Sequence, residues 1–464
     1  MDAELPRVVV VGAGSAGCVL AARIADRYDV TLIEAGRPVT AGRADRALDA
    51  AVAHPETWAL PARLTDDIAG RARPGRAVGG SSVVNGGYWL LPDAVDLEAW
   101  HDAGGDAWDP DRVRAVMRDL GDRMQAHPSP ATHPVARAFA DAAGGSAVAV
   151  PTTIVGGAPR TAAEAFLDDR VHVRSDCRVL RVVFADGRAV GVEVADADGE
   201  LSVIDADEVV LCAGAFGTAR LLLASGLGPA GMLQVDSVAD LPGVGTGFSD
   251  HPTVWVEWMP RPGAPVPGPR PEDEHGAFPV ALRIGADGGA GDALEILACT
   301  QPPAPEPDAR TLGLIVGLQR PRSRGTVRPA SAHPLAAPAI AYHYLEDEAD
   351  RAALRFGVRR AVGILAAPAF AELVEELADL DPATLDDDAL LDAWIVRHLG
   401  SAAHTCGTAP MGAADDPLAV VDGAGRVRGV PGLRIADASV LPVVPSCGPV
   451  AAVMAVGAIV ADQM

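Results

Sequence analysis

The sequence predicts an α/β protein of two joined domains, one of them a nucleotide-binding layer of the Rossmann kind. Three observations predict it. The chain has 464 residues, more than one hydrophobic core comfortably serves, and 49% of them are hydrophobic, enough to fill two cores. The stretch "RVVVVGAGSAGCVLAARIADRYDVTLIEAG", beginning at Arg7, reads as strand, glycine turn, helix and strand. Further on, "VVLCAGAFGTARLLLASGLG" passes from a β-branched run through Gly214 into a small-residue helix.

The first unit is a βαβ arrangement, with the helix expected to run to about Arg27 and the second strand, "VTLI", to end at Glu34. Gly12 makes the turn and Gly14 lets backbone N–H groups reach a pyrophosphate at the helix N-terminus. Gly17 allows the helix to pack tightly on the strand, with Ser15 and Ala16 between them in the same loop. Glu34, followed by Ala35, lies where a carboxylate binds ribose hydroxyls and repels a 2′-phosphate. A bare GxGxxG is often only a turn; two strands, a helix and an acid in register point to dinucleotide binding. This unit does not separate FAD from NAD, since both present an ADP moiety to it.

The next element, "RARPGRAVGGSSVVNGGYWL" from Arg71 to Leu90, is too rich in glycine and hydroxyl residues for a core strand and suits backbone lying against a flat ring. "GVPGLRIADASVLP" reads as a turn, a strand and Asp437. The chain closes on "VPSCGPVAAVMAVGAIVAD", a turn feeding a small-residue helix. Taken singly, each could be an ordinary packed α/β junction.

Composition removes other classes. The net charge of -24 repels nucleic acid and anionic membrane surfaces, and arginine supplies every basic side chain. The six cysteines form no CxxC pair, so buried reduced thiols are expected and neither disulfides nor a metal site. No run approaches the roughly 20 apolar residues of a membrane span, and charged residues rather than a secretory signal open the chain, so a cytoplasmic location is expected.

In this order, the N-terminal motif, "GGSSVVNGG", "CAGAFGTARLLLASGLG", "VGTGFSDHP", "HTCGTAPMG", "LRIADASVLP" and the closing helix resemble the glucose-methanol-choline (GMC) oxidoreductases over nearly the whole chain. The resemblance implies FAD, with Glu34 on the adenosine ribose and Val179 near adenine. It places Gly79, Gly80, Ser81, Asn85, Gly86 and Gly87 along the flavin, and Ala213 and Gly214 also on the cofactor. Asp437, Ala438, Pro449 and Val450 would close over the ribityl and isoalloxazine. Where some relatives carry a histidine bonded to FAD this chain has Val84, which implies noncovalent FAD. The FAD-binding domain would be discontinuous, comprising 1–100, 160–251 and 401–464, with a sheet-and-helix substrate domain of GMC type at 101–159 and 252–400. The proline-rich Glu257–Gly276 stretch is expected to be an exposed loop.

Alcohol oxidation on flavin needs a base for the hydroxyl proton while hydride leaves the carbinol carbon, and a neutral histidine suits that task. His404 in "HTCGTAPMG" matches the family's catalytic histidine, and His251 in "SDHP" is expected to orient the loop under the flavin. At the second active-site position, His or Asn in relatives, the chain has Gly448. That glycine is expected to enlarge the space above the flavin for a bulky substrate, with Ser446, a turn N–H, a water or the substrate itself as the replacement donor. The short length, "NGGY" and the Gly-Pro turn also resemble the mycofactocin-associated dehydrogenases of the family. That would make reduced mycofactocin the alcohol donor and pass electrons towards the respiratory chain, at the inner face of the membrane. The alternatives are a small-alcohol oxidase producing hydrogen peroxide and a GMC-fold lyase.

Overall fold

In the computed structural model, which describes residues 5–39, 55–266, 276–286, 288, 291, 293–301 and 311–464, the N-terminal unit forms as expected. It comprises β1 (Arg7–Val11), α1 (Ser15–Ile24) and β2 (Asp29–Ile33). Val8 to Val11 are all buried, the pattern of a central parallel strand covered on both faces. A parallel sheet of five strands results, in the order His172–Arg174, β2, β1, Glu208–Leu211 and Leu433–Ile435. α1 stops at Ile24, short of Arg27, because the amides of Arg27 and Tyr28 both turn back onto the Ile24 carbonyl.

The closing helix, Val450–Asp462, buries ten of its 13 residues. A helix apolar all round must lie inside the molecule, and this one lies on α1. The contact depends on Gly457, where a Cβ would stand 2.4 Å from the Ala16 carbonyl oxygen. Asp462 ties its end to Arg23 and Arg112, each at 3.1 Å.

A seven-stranded antiparallel sheet forms the second layer, with Pro252–Pro260, Leu312–Leu318, Leu294–Ala298 and Val280–Ile284 adjacent in that order. The expected loop from Glu257 begins four residues later than its sequence suggests: Glu257, Trp258, Met259 and Pro260 belong to the first of these strands, and Trp258 is fully buried. Prolines stand at the two ends of that strand, where a missing N–H does least harm. Arg261, Pro262, Gly263 and Pro265 are exposed as expected, and 267–275 lie outside the described residues.

Among the described residues two large hydrophobic clusters and one small one form, and the two large ones divide the chain differently from the motifs. Trp100, Trp108, Met117 and Leu120, on Ala94–Gly104, the turn after it and Pro110–Arg123, join the core of the parallel sheet. Ala62, Leu64 and Ala72 join the other, because Leu60–Arg63 pairs with Ala339–Ala341. No helix among the described residues is long and apolar enough to cross a membrane.

Candidate active site

The first two glycine stretches lie backbone against backbone. Gly79 N donates to Ala13 O at 2.7 Å, and a Cβ on Gly80 would stand 2.5 Å from Gly14 Cα. No side chain caps α1 at Gly14, so its first-turn amides and the positive end of its dipole face the turn. Gly12, Gly14 and Ser15 are half-buried there, above buried Ala16 and Gly17. Glu34, 7% exposed at the end of β2, accepts from Ala13 N at 3.0 Å and Gly36 N at 2.8 Å. Burial raises its pKa to about 7, against the opposing pull of those amides and Arg76. Ala35 beside it is half-buried, and Val179 is buried on Arg178–Ala185.

At the second strand–helix junction Ala213 offers no capping side chain to Gly214–Ala224, and Asp437 serves the first amide instead. Asp437 Oδ2 accepts from Gly214 N at 2.9 Å and Thr218 Oγ1 at 2.5 Å, and Oδ1 from Ser439 N at 2.8 Å. Its carboxylate thus fastens the last strand of the sheet to that helix, leaving Ala438 half-buried beside it. This donor set fits FAD: uncapped amides suit a pyrophosphate, and the Glu34 oxygens keep lone pairs for ribose hydroxyls.

On the next wall, Asn85 Oδ1 accepts from Gly87 N at 3.0 Å. The Gly87 carbonyl takes Thr152 Oγ1, Thr153 Oγ1 and Thr153 N, which holds the segment in place. Gly86 leaves its open side to Phe278, whose Cε2 would lie 3.0 Å from a Cβ there. Ser81 Oγ accepts from Gly75 N at 3.0 Å and so serves the turn itself. Val84 is buried and apolar.

His404 is half-buried, and its Nδ1 lies 2.9 Å from Nδ1 of fully buried His251. The rings meet edge to face, 5.1 Å apart at 89°. Asp250 holds the backbone beneath them, accepting from His404 N at 3.1 Å, from Ser401 Oγ at 3.2 Å and from Thr405 Oγ1. Burial depresses the His404 pKa to about 4; burial and then His404 itself push His251 well below the usual imidazole range. Both rings are therefore neutral at pH 7. Cys406 and Cys447 are fully buried, and burial pushes their thiols far up, so neither serves as a nucleophile.

The expectation that Gly448 opens space above the flavin does not hold. A Cβ there would lie 2.5 Å from Tyr88 Cε1 and 2.8 Å from its hydroxyl, which accepts from Gly448 N at 2.8 Å. Nor is Gly448 among the glycines in the left-handed region. Its small size admits the Tyr88 ring. Ser446, expected as a replacement donor, is fully buried and gives its hydroxyl to Asp96 Oδ2 at 2.6 Å. Pro449 caps the closing helix without a side-chain bond, and Val450 is half-buried in its first turn.

Sequence reading missed three residues behind this turn. Tyr88 also faces Glu295 Oε1 at 3.3 Å, and Arg283 Nη2 donates to Ser446 O at 2.6 Å. Arg283 and Glu295 are direct cross-strand partners. Burial raises Glu295 to about 7, opposed by Arg283 and Tyr88. A lone acid in "ALEILACT" and a lone base in "VALRIG", each inside an apolar run, were the available signal. His251 was noted, but its ring meets His404 rather than only ordering a loop.

Residues 7–158 and 157–253 match one family model described as GMC oxidoreductase, and 321–457 match a second so described. A GMC-type oxidoreductase of Rhodococcus erythropolis is 33% identical, covering 97% of this chain and 96% of that one. An oxygen-dependent choline dehydrogenase of Vibrio vulnificus is 30% identical, covering 94% of this chain and 90% of its own. Among solved structures, pyridoxine 4-oxidase from Mesorbium loti superposes with a TM-score of 0.89 at 27% identity, covering 99% of each chain.

Proposed function

The chain belongs to the GMC oxidoreductase family, and on that premise we propose that it oxidises the CH–OH group of an alcohol with noncovalently bound FAD, His404 acting as the base. The observation that carries the proposal is a half-buried His404 whose Nδ1 lies 2.9 Å from Nδ1 of His251, so that its Nε2 is not engaged there. The activities named for the choline dehydrogenase and pyridoxine oxidase relatives support an alcohol substrate.

FAD, when bound, supplies the two-electron acceptor for the hydride. The α1 amides and Glu34 would hold its ADP half, and Asn85, Gly86, Gly87 and the Pro449–Val450 end of the closing helix would border its ring. His404 takes the hydroxyl proton at Nε2, the nitrogen not engaged with His251. As the C–H electron pair departs as hydride, the C–O bond becomes C=O. Ser446 and the Gly448 amide are already engaged, and the first-turn amides of the closing helix, which no side chain caps, can donate to the substrate oxygen.

Val84, apolar and buried, supports noncovalent attachment. The "NGGY" and Gly-Pro signatures support the narrower reading of a mycofactocinol dehydrogenase that passes electrons to the respiratory chain; a small-alcohol oxidase making peroxide is the alternative. Anaerobic mixing with reduced mycofactocin and with a panel of small alcohols tests these readings by loss of the yellow flavin band. Steady oxygen uptake with a small alcohol favours the oxidase, and turnover of any substrate without bleaching favours a lyase. His404→Ala should keep its FAD and reduce it about a hundredfold more slowly. Reduction at the wild-type rate removes His404 from the mechanism.

A further inference from the structure

One face of the seven-stranded sheet carries a polar patch. Arg283 pairs with Glu295, Glu295 with Gly317 and Gly317 with Thr253, so a row of direct partners crosses four strands on the same face. Their neighbours along the strands, among them Leu294, Val316 and Val254, point the other way into the apolar core. Gly317 leaves a gap in the row, and the Gln319 side chain folds back into it: its Nε2 lies 2.9 Å from where a Cβ on Gly317 would stand. His251, two residues ahead of Thr253, borders the patch on one side and meets His404 at 2.9 Å. On the other side the Tyr88 hydroxyl joins Glu295 Oε1 to the Gly448 amide, and Arg283 Nη2 holds the Ser446 carbonyl. The patch therefore lies between the candidate base and the closing turn.

Four of these side chains keep a buried polar atom without a hydrogen-bond partner among the described residues: Arg283 Nε, Glu295 Oε2, Gln319 Oε1 and His251 Nε2. Glu295, Gln319 and His251 are 2%, 4% and 0% exposed. A buried polar atom that gives up water and gains nothing in return is costly, and folded interiors keep few of them. Their concentration beside the reacting centre marks a place that receives a polar group.

We propose that this patch is a substrate subsite for a second hydroxyl, so that the alcohol oxidised carries at least one further hydroxyl group. The inference rests on the reading of the chain as an alcohol-oxidising enzyme. The unmet atoms select the class of group. Glu295 Oε2 and Gln319 Oε1 are oxygens that accept, Arg283 Nε–H only donates, and a hydroxyl both gives and takes. An ammonium group would serve the two oxygens but stand beside the Arg283 guanidinium, and a carboxylate would serve Arg283 but stand beside Glu295. A neutral hydroxyl meets neither repulsion. It also answers Glu295 in either protonation state, donating to the carboxylate or accepting from the acid. An apolar substituent would leave all four atoms unmet.

The test is anaerobic binding to the FAD-loaded protein, read as the alcohol concentration that half-saturates the change in the flavin spectrum, whether that change is a perturbation or bleaching. Ethylene glycol, glycerol and erythritol should each bind at least about tenfold more tightly than the mono-alcohol of equal carbon number, ethanol, propanol or butanol. Gln319→Leu and Glu295→Leu should bring the two series to within about twofold of each other, with mono-alcohol binding and FAD content as in the wild type. Gln319→Leu carries the test should Glu295→Leu fail to fold, because no hydrogen bond of the fold passes through the Gln319 side-chain oxygen. Equal binding of the two series by the wild type, no binding of the polyols, or a preference that survives both substitutions overturns the proposal, the last because water alone then meets these atoms. A polyol preference without bleaching would retain the subsite and remove the oxidation, and wild-type reduction in His404→Ala would sink the base alone, so each failure is told from the others.

Discussion

At Gly448 a hydrogen in place of a side chain lets the Tyr88 ring lie against the closing turn and capture its amide. An added methyl must displace backbone or an aromatic ring, and such overpacking costs about 1–3 kcal/mol. Gly448→Ala should therefore lower the melting temperature and the FAD content, while the same change in a Tyr88→Ala background should be nearly neutral. An equal cost in both backgrounds would mean that Tyr88 is not the reason for the glycine. Glu295 makes a different prediction. Its folded pKa is raised from 4.5 to about 7, so the folded state binds the proton more tightly than the unfolded chain does. Its contribution to stability is full below 4.5 and is lost as pH rises towards 7. Glu295→Gln removes that slope, so its melting temperature should gain on the wild type as pH is raised from about 5 to about 8. A gap that stays constant with pH would show that Glu295 is not protonated on folding.

The closing helix shows how an element can be set by its neighbour rather than by propensity. Alanine is the better helix former, by about 1 kcal/mol over glycine. Yet a Cβ at position 457 would stand 2.4 Å from the main-chain oxygen of Ala16, which cannot move without shifting α1 and the turn it starts. Gly457→Ala should thus destabilise the protein and weaken FAD binding together, read as melting temperature and as flavin retained on a desalting column. A stabilised variant with unchanged flavin retention would refute this. The strand Pro252–Pro260 is a second case. Its proline content suggested a loop from Glu257, but Val254, Val256 and Trp258 alternate into the core and the strand is paired on both sides. Period-two burial outweighs proline placed only at the ends.

Over the whole molecule, the residues suited to FAD come from three separated stretches of chain, so the cofactor should act as a fastener between them. Acid precipitation should leave flavin in the supernatant, and the apoprotein should melt below the holoprotein; FAD at a hundred times its dissociation constant adds about 2.7 kcal/mol. Flavin that stays on the precipitated chain would overturn noncovalent attachment. By itself the sequence determined the first βαβ unit, because the turn, the helix N-terminus and Glu34 lie within one short stretch whose spacing carries the geometry. It also determined the family, through motifs whose order survives without coordinates. Only the tertiary structure decided what stands around the reacting centre. His251 and His404 are 153 residues apart, Tyr88 and Gly448 are 360 apart, and Arg283 faces Glu295 through strand register. Such contacts are set by how layers pack, and packing distance is not written in local residue order. For that reason the glycine at 448 looked like an opening in the sequence and is a seat for a tyrosine in the fold.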